Sequence, residues 1–187
     1  MTELNDYSGE LRPDLRMEDF SREALIRLWS VTGLQYCALD GVWYNLVRER
    51  FGEEMARELD AEAWRRQTPL EVRWTRQALD IWGNDVEAVM KFLQVDIGSG
   101  PVFPEFTCEL KSKDVGIMTV KKCRGLDYFE RHGEVELMMN SCHVVDVEGF
   151  RDLAHIFNPK MNCTPLKLPP RESPDEIACQ WEFRMEE

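Results

Sequence analysis

The feature that most constrains this chain is a change of apolar period near its middle. Up to Ile97-Gly98-Ser99-Gly100-Pro101 the apolar residues recur at helical spacing, and beyond it Phe106, Cys108 and Leu110 alternate with Thr107, Glu109 and Lys111. A period near 3.6 buries one stripe of a helix, and a period of two buries one face of a strand, so the two halves must fold differently. The expected class is α+β, with a helical N-terminal half packed on a cysteine-rich C-terminal half that holds a small antiparallel sheet.

Local signals predict five helices in the first half. Ser21 is the expected N-cap of the first, which carries Ala24, Leu25, Leu28 and Trp29 and ends at Gly33. The second runs from Leu34 to Phe51 and stops at Gly52. The third, Glu53 to Arg66, has acids in its first turn and Arg65 and Arg66 in its last. Thr68-Pro69-Leu70-Glu71 reads as a capping box with proline at the first helical position, opening a fourth helix toward Gly83, and Asn84-Asp85-Val86-Glu87 opens a fifth.

In the second half the strands expected are one through Phe106 to Leu110, Val115 to Lys122, and one through Ile177 to Met185. Between them lie a short helix at Asp127 to His132 and an amphipathic helix through Val147, Phe150, Leu153, Ala154 and Phe157, closed by Asn158-Pro159. Pro165, Pro169, Pro170 and Pro174 predict an extended loop. Residues 1–19 read as a loose arm before one compact domain, 20–187, with a helical part at 20–96 and a sheet-containing part at 102–187.

Charge and cysteine usage narrow the partners. A net charge of -12, spread along the chain, repels a phosphate backbone, so nucleic acid is not an expected partner. No stretch reaches the roughly 18 uninterrupted apolar residues of a membrane span, and the start has no basic and apolar leader pattern, so a cytoplasmic protein is expected. Six cysteines in that setting imply reduced thiols, metal ligands or a nucleophile rather than disulfides. A small molecule is the expected partner, with assembly into a homo-oligomer left open.

Cys142 is the first candidate nucleophile, because it stands beside His143 and four residues before Asp146, read as the N-cap of the amphipathic helix; an imidazole or a helix N-terminus lowers a thiol pKa. Cys123, at a strand end, is the second. Asp40 has Tyr36 and Cys37 one helical turn before it and Trp43 and Tyr44 one turn after, so it is either an acid on an aromatic face held by a tyrosine hydroxyl or a partly desolvated acid or base. Cys123, Cys142, Cys163 and Cys179 form an alternative set of metal ligands suited to zinc or iron, although no C-x-x-C pair is present to preset a tetrahedron. His132 and His155 read as structural. The six tryptophans read as core, with Trp43 and Trp181 also suited to lining a small apolar pocket.

Two stretches carry a resemblance. Glu23-Ala24-Leu25-Ile26 leads through Leu39-Asp40-Gly41-Val42-Trp43-Tyr44 to Phe51-Gly52, Glu58-Leu59-Asp60 and Trp64. Cys123 and Cys142 are followed by Phe157-Asn158-Pro159-Lys160, Cys163, Pro169-Pro170 and Cys179-Gln180-Trp181-Glu182-Phe183. In this order they resemble a family of uncharacterised bacterial and archaeal cytosolic proteins related to the L-2-amino-thiazoline-4-carboxylic acid hydrolases. The resemblance implies a helical part followed by an α+β part, and hydrolysis of a small sulfur- or nitrogen-containing ring with a thiol as participant. Leu168 and Ser173 depart from its pattern, standing where relatives often carry cysteine and histidine. The competing expectation is a noncatalytic metal-binding or redox-sensing module built on the four late cysteines.

Overall fold

A computed structural model describes residues 3–186 and is α+β as expected. Among the described residues the first half holds three helices rather than five: α1 (Arg22–Phe51), α2 (Glu53–Leu79) and α3 (Val86–Val95). Ser21 does cap α1, its Oγ accepting the Ala24 N–H at 3.2 Å, and Gly52, at φ +90°, ends it. Gly33 does not. A Cβ there would come within 2.6 Å of Pro101, so this glycine serves a close approach between α1 and the loop before the sheet.

Pro69 likewise lies inside α2 instead of opening a helix. The capping box is unused: the Thr68 hydroxyl donates to the Trp64 carbonyl at 2.9 Å, and Glu71 accepts the Tyr36 hydroxyl from α1. Packing of two long antiparallel helices outweighs a local break signal of about 3 kcal/mol.

The second half follows its sequence pattern more closely. Strands β1 (Glu105–Ser112) and β2 (Val115–Lys122) pair as a hairpin, and β4 (Cys179–Met185) joins β2. The described strands form an antiparallel sheet in the order β1-β2-β4-β3. Strand β3 (Met161–Lys167) stands where an extended proline loop was expected; Pro165 is tolerated because β3 is an edge, where a missing N–H breaks no central ladder.

Helix α4 (Arg124–His132) precedes α5 (Val135–Asn140), which continues through a π-helical turn (Ser141–Val145) into α6 (Asp146–Phe157). Asp146 is therefore not an N-cap. It sits within continuous helical backbone, and Cys142 lies in the π turn rather than ahead of a helix N-terminus.

The main core is made by α3, α6 and the sheet. Trp181, Phe183, Met118 and Val120 point from β2 and β4 onto Val89, Phe92, Leu93, Ala154 and Phe157, all fully or nearly fully buried. A smaller core of Tyr44, Val47 and Ala56 closes the α1–α2 turn. The arm before α1 is tied back by mutual backbone hydrogen bonds, Leu4 N–H to the Asp19 carbonyl and Ser21 N–H to the Leu4 carbonyl. Among the described residues no helix is long and apolar enough to cross a membrane.

Candidate functional site

The α1–α2 hairpin buries acids. Asp40 on α1 and Asp60 on α2 lie close enough for their carboxyls to act on one another, with Trp64 beside both. Burial raises both, and the neighbouring Asp60 charge adds to the rise at Asp40, which reaches about 7. Two carboxyls this close cannot both ionise cheaply, so each holds its proton more tightly than a free carboxyl does. Asp60 is only 6% exposed, and its Oδ1 has no hydrogen-bond partner.

Opposite this pair stands Asp146, the first residue of α6. The protein closes around it deeply enough that desolvation, with the charge of Asp60 second, raises its carboxyl to about 7. Its accessible surface is nevertheless exposed rather than buried. At the seam of α2 with the π turn and α6, Trp64, Val145 and Gly149 line a cavity of about 20 Å³, room for a single water-sized group, and none of the three acids lines it.

Four thiols converge on the same acids. Cys123 caps α4, its Sγ accepting the Leu126 N–H at 3.5 Å. Cys142 lies in the π turn, four residues before Asp146, and Cys179 opens β4. The charge of Asp146 raises Cys123, Cys142 and Cys179, Cys37 on α1 adds to the rise at Cys123, and Asp40 raises Cys37. Burial is the larger cause in each case and pushes Cys123 and Cys179 up to about 12, with Cys142 also well above an ordinary thiol. These thiols hold their protons, while the carboxyls change charge near neutrality.

Three of the expected site residues, Cys142, Cys123 and Asp40, are thus gathered in one place. His143 is committed elsewhere: its Nε2–H donates to the Pro169 carbonyl at 2.6 Å, leaving only Nδ1 for any base role. The four-cysteine metal set does not assemble. Cys163 on β3 pairs across from Phe183, four residues along β4 from Cys179, which separates the two by about 13 Å along the strands. It senses Arg151 and Glu182 rather than the other thiols. Among the described residues no three His, Cys, Asp or Glu side chains are arranged to hold a metal ion.

A family model described as a family of unknown function (DUF6125) matches residues 18–185. The chain belongs to DUF6125. Among curated proteins and solved structures, nothing matches it. The matched region of this DUF6125 chain contains every residue of the carboxyl and thiol cluster.

Reading from sequence missed Asp60, Asp146 and Cys37 as members of the site. A signal existed for Asp60: it lies midway between Ala56 and Trp64 at four-residue steps, the same acid-on-an-apolar-face pattern that singled out Asp40. Trp43 and Trp181 do not line the cluster together. Trp181 is core at 1% exposed, and Trp43 lies on the outer side of α1.

Proposed function

We propose that this DUF6125 chain binds a small molecule at the Asp40–Asp60–Asp146 cluster and hydrolyses a small sulfur- or nitrogen-containing ring there. The observation that carries the reading is the nearness of the raised Asp40 and Asp60 carboxyls to a third raised carboxyl, Asp146, whose residue is exposed. Acids that titrate near neutrality suit both halves of general acid–base chemistry at physiological pH. The buried, unpartnered Asp60 Oδ1 offers an acceptor that a ligand N–H or O–H would satisfy. The substrate class is suggested by the resemblance of the chain's anchor residues to uncharacterised cytosolic proteins related to the L-2-amino-thiazoline-4-carboxylic acid hydrolases.

In this reading the ionised Asp146 takes a proton from water as the water oxygen bonds to the ring carbon. Asp40 delivers its proton to the ring sulfur or nitrogen as the bond from that carbon breaks. The protonated thiols of Cys123, Cys142 and Cys179 form a soft wall against the ring sulfur and, at their raised pKa, are not the attacking group. Six free thiols suit a reducing, cytosolic setting.

The test is ring opening of L-2-amino-thiazoline-4-carboxylate by the purified chain, followed chromatographically. Turnover should fall at least about 100-fold in Asp40→Asn and in Asp146→Asn, and less than about 5-fold in Cys163→Ser, whose thiol lies outside the cluster. Absence of both turnover and saturable binding of that compound would sink the proposed substrate class, and full activity in Asp146→Asn would sink the assignment of the base.

A further inference from the structure

Helix α1 carries an apolar seam that the rest of the chain leaves uncovered. Leu25, Leu28, Thr32, Gln35, Leu39, Val42 and Leu46 follow one another at alternating steps of three and four, the spacing that keeps one stripe facing a partner helix in a coiled coil. None of the seven is buried, and Leu39 and Val42 are 71% and 59% exposed. The inward residues of α1, among them Gly33, Tyr44 and Val47, lie on a different face. The seam is therefore surplus to the core of the chain.

We infer that this seam is the interface of a two-fold symmetric dimer in which α1 of two copies pack antiparallel. Three observations carry it. The first is area. With flanking Val31 and Trp43, the exposed apolar side chains of α1 amount to roughly 600 Å² per copy, against about 800 Å² of total surface per partner in a standard interface, little more than half of it apolar. A monomer rarely leaves so much apolar surface in one continuous stripe.

The second is charge. The chain carries -12, yet residues 22–79 hold nine arginines against nine acids, so the hairpin is neutral and the whole excess lies outside it. Copies repel each other everywhere except where the seam runs. That acidic excess also disfavours an anionic lipid surface as the cover for the seam.

The third fixes direction. An axis beside Gln35 sets Leu25 against Leu46 and Leu28 against Val42 of the second copy, with the polar Thr32 and Gln35 near the centre. The same register brings Arg22 of one copy to the end of the other helix that carries Glu49 and, beside it, Arg50. Arg22 and Glu49 are both exposed, and neither has an ion-pair partner within the chain among the described residues. A parallel pairing would oppose Arg22 to Arg22 and Glu49 to Glu49, placing like charges together. A single polar layer inside an apolar seam is the ordinary device for setting register.

Sedimentation equilibrium of the full chain tests this. The expected mass is twice 21.9 kDa. The doubly substituted Leu39→Glu/Val42→Glu chain should dimerise at least about 100-fold more weakly while keeping wild-type circular dichroism, since both sites are exposed. Glu49→Arg alone should weaken the dimer about 5-fold or more, and Arg22→Glu added to it should restore affinity to within about 2-fold. A wild-type monomer at 100 µM, taken as about the top of the useful range, overturns the dimer. A dimer indifferent to Leu39→Glu/Val42→Glu overturns the seam, and an unrestored charge swap overturns the antiparallel register.

Discussion

The two halves of this molecule treat the same residue types in opposite ways. The sheet half hides its large apolar side chains, with Trp181 and Phe183 at 1% and 0% exposed, and sends Glu182 and Arg184 outward into an ion pair. The α1–α2 hairpin buries Asp60 and Glu71 and leaves Leu39, Val42 and Trp74 outside. One half is a conventional core. The other buries acids beside a small apolar core and leaves leucines exposed, two features that each cost stability and that the proposed site and the inferred dimer would each account for.

The sharpest break between the halves should appear on truncating tryptophan. Trp181→Ala is expected to cost about 3–5 kcal/mol by urea unfolding, whereas Trp74→Ala, at an exposed ring with the Arg73 guanidinium 5.6 Å from its centre, should cost under about 1 kcal/mol. Equal losses would mean that Trp74 is packed as a core residue rather than exposed. Within α1, Gly33→Ala should destabilise by about 1–3 kcal/mol because the new methyl meets Pro101. Gly41→Ala, with nothing within 4 Å of its added Cβ, should instead stabilise by about 0.5–1 kcal/mol.

The raised acids give the protein a pH signature that the hairpin's Asp40 shares with Asp146 on α6. Asp40 keeps its proton to about pH 7, while its unfolded counterpart loses it near 3.8, so between those values the native state binds more protons and stability falls as pH rises. Unfolding at pH 5 and pH 8 should show a loss of roughly 1–2 kcal/mol attributable to this group, and Asp40→Asn should remove that part of the slope. An unchanged slope in the variant would show that the pair is not titrating in this window. Ser21→Ala should cost about 1 kcal/mol from one lost N-cap bond, read by the same denaturation.

Most of the sheet was legible because its signals are local. Strand signals placed β2 at its observed bounds and β4 to within two residues of its start, and the alternation of β4 marks Trp181 and Phe183 as its buried face, whereas β2 buries Gly116, Ile117 and Met118 in succession. The hairpin was less legible because Gly33 and Pro69 are local break signals overruled by a partner distant in sequence: Pro101 at one and the length of the facing helix at the other. The site was half legible. Asp40 announced itself by standing on an aromatic face, but Asp146 read as a helix cap because nothing in the sequence marks a π turn that carries α5 into α6.

The sequence by itself determined the class of each half, the caps at Ser21 and Gly52, and the presence of an acid where an apolar residue was due, since these depend on neighbours a few positions away. Only the tertiary structure decided that Asp60, Asp146 and three remote thiols share the surroundings of Asp40 and that Cys163 does not. Those facts depend on how helices cross and strands register, and desolvation and charge act through space on whatever groups the crossing brings together.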